Sequence, residues 1–106
     1  MKISIIMQSY LGYYPYSRKD PESKFIRAVY SVISQFYENW ELIIVSDGCN
    51  ITNKLYDIHF KNYDNIKLVK ISKPKDTETY SNGNYRRAYP KQVGLDNATG
   101  DFICYL

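Results

Sequence analysis

The stretch Asn39-Trp-Glu-Leu-Ile-Ile-Val-Ser-Asp-Gly48 decides the fold of this chain. Its centre, Glu41-Leu-Ile-Ile-Val45, is an apolar run behind a single acid, the pattern of a strand buried on both faces of a parallel sheet. Ser46-Asp47-Gly48 closes it. Three further runs read the same way: Lys2-Ile-Ser-Ile-Ile-Met7, Ile66-Lys-Leu-Val-Lys-Ile71 and Asp101-Phe-Ile-Cys-Tyr-Leu106. The lysines interspersed in the third of the four strands predict an edge position, where charge discourages pairing with another chain.

Helical patterns separate the strands. Asp20-Pro21 predicts a helix start, with Asp20 as the N-cap and Pro21 at the first helical position. Phe25, Ile26, Val29, Val32, Ile33 and Phe36 then form one apolar stripe on a helix over 21–37. A weaker helix is predicted over 52–63, with Leu55, Ile58 and Phe60 on its apolar side. Residues 72–89 read as a loop rich in Lys, Asn, Ser and Gly. Pro90 opens a short helix to about Asn97, ended by Ala98-Thr99-Gly100 in the glycine pattern of helix C-termini.

This alternation predicts an α/β, Rossmann-like fold of about four parallel strands, joined by right-handed crossovers, with helices on both faces. With the strand order 3-2-1-4, the ligand crevice lies beyond the carboxyl ends of the strands, between strands 1 and 4, where the order reverses. Gln8-Ser9-Tyr10 stands there, with Asp47-Gly48 beside it on strand 2. The chain has neither G-x-G-x-x-G nor G-x-x-x-x-G-K-[ST], which disfavours dinucleotide and P-loop chemistry.

Composition narrows the field further. A length of 106 residues fits one domain, 1–106, and 44% apolar with 24% charged residues is ordinary globular composition. No apolar run approaches the roughly 20 residues that span a bilayer. Met1-Lys2 leads straight into the first strand without the apolar stretch and cleavage site of a secretory signal, and so reads as a mature start. Cys49 and Cys104 lack CxxC spacing and read as free thiols of a reducing, cytoplasmic compartment. A net charge of +3 is too small to indicate nucleic acid on its own. Yet residues 67–91 carry seven basic side chains and two acidic ones. That excess suits an anionic ligand such as a phosphate, or else a solvated loop and polar helix face.

Four blocks carry a family resemblance. Ile3-Ser-Ile-Ile-Met7 with Ser9-Tyr10, Ala28-Val-x-Ser31-Val-x-x-Gln35-x-Tyr37, the Asn39 to Gly48 stretch, and Gly94-Leu95 with Ala98-Thr-Gly-Asp-Phe-Ile103 resemble the N-terminal half of family 2 glycosyltransferases with the GT-A fold. The blocks cover nearly the whole chain in the family's order. The resemblance implies transfer of a sugar from a nucleotide donor, commonly UDP- or GDP-linked, to a hydroxyl of a glycan or other acceptor. It also implies Mg²⁺ or Mn²⁺ in the full-length enzyme. The family's metal-binding Asp-x-Asp motif directly follows the fourth strand, which places it just past Leu106, with the catalytic base further on. The chain thus resembles the truncated, nucleotide-binding portion of a longer enzyme. No catalytic residue, bound metal or appreciable transferase activity is expected of it alone, and the apolar surface left open at the fourth strand is expected to favour self-association.

The resemblance also assigns roles. Tyr10 matches the position that packs against the base, where stacking contributes roughly 1–3 kcal/mol; the plainer reading is a tyrosine closing the sheet end. Asp47 matches the second acid of the family's Asp-Asp-Gly element, and an acceptor-only carboxylate selects a base N–H. Its plainer reading is a turn, with Gly48 completing it. Ser9 and Ser46 are candidates at the ribose or base edge. Arg86, Arg87 and Lys91 are the diphosphate candidates, aided by the dipole of the helix beginning near Pro90; a solvated loop is the alternative for each. Lys91 replaces an arginine common in the family and so lacks the bidentate fork.

Several positions depart from the family. Gln8 replaces a proline, Ser46 an aspartate, and Cys49 a common serine, while the loop 11–20 is long and carries three tyrosines. His59 reads as structural. Cys49 and Cys104 read as small apolar fillers, since nothing in the sequence pairs either with a base. A function of another class is a non-catalytic nucleic-acid-binding module built on the basic 67–91 segment with Tyr80, Tyr85 and Tyr89. No motif supports it, and no nucleic-acid partner is expected.

Overall fold

The computed structural model describes residues 1–11, 20–35, 37–71 and 84–106, apart from the side chains of 84–89. Its elements run β1 (Ile3–Ser9), α1 (Pro21–Ile33), β2 (Trp40–Asp47), α2 (Asn50–His59), β3 (Ile66–Ile71), α3 (Asn84–Asp96) and β4 (Phe102–Tyr105). The strands form one sheet in the order β3-β2-β1-β4, and every pairing is parallel. This is the α/β, Rossmann-like arrangement that the strand and helix patterns predict. β3 lies at an edge, as its lysines require.

The alternation of side chains along each strand divides the core in two. Ile3, Ile5 and Met7 of β1, Trp40, Leu42 and Ile44 of β2, and Ile66 and Leu68 of β3 share one face. They pack with Phe25, Val29 and Val32 of α1 and with Leu55, Tyr56 and Phe60 in and after α2. Ile6, Ile43 and Val45 point to the other face and are also buried. There Gly94 of α3 lies so close that an added Cβ would stand 2.4 Å from Ile6 Cγ2 and 3.3 Å from Val45 Cγ2. Glycine at this position is what lets α3 reach the sheet. All eight residues of β2 are buried, and each such aliphatic side chain contributes about 1.5–3 kcal/mol.

Several boundaries differ from the sequence reading. α1 ends at Ile33 rather than 37, and Phe36 lies outside the described residues. Asp20 does occupy the N-cap of α1, but in a left-handed conformation (φ 57°) and without a side-chain cap hydrogen bond. Pro21 at the first helical position and the backbone bond from Lys24 N to Asp20 O begin the helix instead. α2 begins at Asn50 and ends at His59, so the expected end at 63 is too late. α3 starts at Asn84, placing Pro90 inside the helix rather than at its start and residues 84–89 in a helix rather than a loop. A proline there removes one helical hydrogen bond. Complete burial of its ring offsets that loss. Gly100 does not cap α3, which ends at Asp96. Its amide instead donates to Ser4 Oγ at 2.8 Å, and a Cβ would meet the β1 backbone.

β4 is exposed along its length, with Phe102, Ile103, Tyr105 and Leu106 all open to solvent. Cys49 and Cys104 are both free, the first buried and the second exposed. Among the described residues, no helix is long and apolar enough to cross a membrane.

Candidate functional site

The sheet order reverses at β1, the first strand, with β2 on one side and β4 on the other. The reversal sets the tips of these three strands side by side, the place where open parallel sheets bind ligands. Ser9 and Ser46 are register partners on β1 and β2, so Tyr10, just past β1, and Asp47, the last residue of β2, are the next positions along these two adjacent strands. Asp47 follows Glu41, Ile43 and Val45 on the face that α3 covers, and it is buried. Tyr10 is half-buried.

Gly48 turns the chain off β2. Its φ is 59°, a left-handed value that suits glycine. Its amide donates to the carbonyls of Ser46 and Ile71, each at 3.0 Å, which ties this turn to the end of β3. Ser46 Oγ donates to the Cys49 carbonyl at 3.0 Å. Ser9 Oγ is hydrogen-bonded to Thr52 Oγ1 at 2.7 Å. The two serine hydroxyls thus have internal partners, and both residues are buried.

Cys49 has a role that the sequence did not disclose. It is the N-cap of α2, and its thiol accepts the Thr52 amide at 3.4 Å. The same sulfur accepts the Leu11 amide at 3.2 Å, from the tip of β1. It is thus more than an apolar filler. Burial pushes the thiol pKa up, but hydrogen bonds from Thr52, Leu11 and Ile51 outweigh this and leave it below the ordinary thiol value.

On the β4 side, Lys91 of α3 holds its Nζ 5.8 Å from the Tyr105 ring centroid. Tyr105 pairs with Ile6, so Lys91 lies against β4 on the α3 face of the sheet. Arg86 and Arg87 belong to the same helix, upstream of Lys91; their side chains fall outside the described residues, as do the tyrosine-rich loop and residues 72–83. Among the described residues, no three His, Cys, Asp or Glu side chains come together to hold a metal ion.

The opposite end of the sheet holds a second polar cluster, also missed from the sequence. Glu41, 1% exposed, takes the Ser4 hydroxyl at 2.5 Å, the Thr99 amide at 2.6 Å and the Thr99 hydroxyl at 2.9 Å. Lys67 Nζ lies at 3.0 Å and Lys2 Nζ at 3.6 Å. Burial raises the carboxyl pKa, but the bonds from Ser4, Thr99 and Lys67 prevail and bring it from 4.5 to about 2.

Comparison with known proteins bears on the whole chain. It is 31% identical over 104 residues to an uncharacterized glycosyltransferase of Haemophilus influenzae, covering 98% of this chain and 34% of that protein. It is 34% identical over 106 residues to a protein of Bacillus subtilis provisionally named glycosyltransferase EpsE, covering 96% of this chain and 31% of that one. The chain is related to glycosyltransferases. It spans about a third of the length of these relatives. No protein-family profile matches it.

Proposed function

We propose that the carboxyl end of this sheet recognises the nucleoside diphosphate of an activated sugar, commonly UDP- or GDP-linked. The protein to which it belongs, of the GT-A kind within glycosyltransferase family 2, would pass that sugar to an acceptor hydroxyl. One observation carries the reading: Tyr10 and Asp47 occupy adjacent strand tips at the point of order reversal, one half-buried and one buried. The tyrosine ring offers a stacking surface for the base, and the carboxylate accepts a base N–H. Ser9 and Ser46, directly before Tyr10 and Asp47, are held by Thr52 and the Cys49 carbonyl and keep acceptor capacity for the ribose or base edge, while Gly48 forms the turn after Asp47. Lys91 supplies positive charge to the diphosphate as a point charge, and Arg86 and Arg87 are its companions on α3. Two free thiols fit a reducing, cytoplasmic setting.

The chain alone is expected to bind donor without turning it over. Calorimetric titration with UDP and GDP tests this against Asp47→Ala. Loss of a charge-assisted hydrogen bond weakens binding roughly 10- to 100-fold. Equal affinity of the two proteins would remove Asp47 from base recognition. Self-association through the open β4 edge is expected to appear in sedimentation at micromolar concentration and to be lost in Ile103→Lys; a monomer at every concentration would contradict it.

A further inference from the structure

We infer that the turn from Cys49 to Thr52 is a brace that fixes Tyr10 relative to Asp47, which makes Cys49 and Thr52 positioning residues for the nucleoside. The inference rests on the nucleotide reading above and specifies what holds that site in shape.

A helix cap needs only the bond from the Thr52 amide to the Cys49 thiol. Three further bonds leave the same short turn, and each goes to a strand tip. The thiol takes the Leu11 amide, on one side of Tyr10, at 3.2 Å. The Thr52 hydroxyl bonds Ser9, on the other side of Tyr10, at 2.7 Å. The Cys49 carbonyl takes the hydroxyl of Ser46, directly before Asp47, at 3.0 Å. Tyr10 is thereby gripped on both flanks, and Asp47 is held between Ser46 and the Gly48 turn. Cys49, Thr52, Ser9 and Ser46 are exposed by 3%, 0%, 5% and 1%. Water does not compete in so dry a joint, and its bonds are correspondingly firm. Neither Cys49 nor Thr52 is assigned a contact with ligand. Their effect passes through Tyr10 and Asp47.

The test compares wild type with Cys49→Ala, Cys49→Ser and Thr52→Val, reading amide hydrogen exchange at Leu11, the Kd for UDP or GDP, and the thermal midpoint. In Cys49→Ala, Leu11 is expected to lose protection while core amides such as Leu42 keep theirs. The Kd should rise about tenfold, the effect of losing roughly one hydrogen bond's worth of alignment. Cys49→Ser restores an acceptor over a shorter reach and should return affinity to within about threefold of wild type. Thr52→Val preserves shape, keeps the fold, and should weaken binding while releasing Ser9.

A lower thermal midpoint with unchanged Kd in both Cys49→Ala and Thr52→Val would overturn the brace and leave only a cap. A raised Kd with Leu11 exchange unchanged would also overturn it. Should wild type bind neither UDP nor GDP, the nucleotide reading fails. The brace is then judged by exchange alone, supported if Leu11 opens selectively in Cys49→Ala and refuted if it does not. Should Asp47→Ala abolish binding while the brace variants bind normally, the nucleotide reading stands and the brace falls.

Discussion

The two ends of this sheet solve the same problem in opposite ways. Each has polar groups buried where β1 and β2 meet other elements. At the amino end one charge, Glu41, gathers Ser4, Thr99, Lys67 and Lys2 around a single carboxylate. This stitches β1, β2, β3 and the approach to β4 together, and the buried charge is saturated with donors. At the carboxyl end the joint is neutral: two serines, a threonine, a thiol and backbone amides. The acid there, Asp47, stands at the very tip of β2. The contrast separates a carboxylate that holds the fold from one that we propose reads the nucleoside.

The largest expected effect breaks the amino end. Glu41→Ala leaves the Ser4 and Thr99 groups and the Lys67 ammonium without their acceptor, and should cost about 3–5 kcal/mol in urea unfolding. Its folded fraction should still bind UDP with wild-type affinity. If it lost binding but not stability, the two ends would have exchanged roles.

Acid titration sharpens the same contrast. Glu41 has its folded pKa lowered from 4.5 to about 2. Its stabilisation is therefore present above about 4.5 and is lost as pH falls through about 2. The size is on the order of 3 kcal/mol. Unfolding free energies measured across this window should fall for wild type and stay flatter for Glu41→Gln. Parallel curves would contradict the assignment.

At the crevice, Lys91→Met should weaken UDP binding by about three- to tenfold, an effect that shrinks as salt is raised. A loss insensitive to salt would mean that the side chain acts by packing against Tyr105 rather than by charge. Smallest of all is Lys67→Met. Its side chain is 46% exposed, so this half of the ion pair should be worth less than about 1 kcal/mol.

The sheet was legible because its strands are written as apolar runs, and β3 carries its edge position in Lys67 and Lys70. The tips were legible as places: the run ending at Val45 puts Ser46-Asp47-Gly48 at a carboxyl end whatever the detail of the turn. What escaped depends on contacts between distant residues. Glu41 carries no role in the sequence reading until Ser4, Lys67 and Thr99 converge on it. Cys49 reads as filler until Leu11 is brought beside it. Pro90 misled because local preference places proline at a helix start, whereas here burial of its ring decides. Gly100 misled for a similar reason, since its lack of a Cβ serves close approach to β1 rather than a helix end.

The most direct test of the account is amide chemical-shift mapping of the chain during titration with UDP and GDP. The expected result is saturable shifts concentrated at residues 9–11 and 46–49, with Lys2, Glu41 and Thr99 unmoved. Shifts centred on the Glu41 cluster, or none at saturating nucleotide, would contradict it.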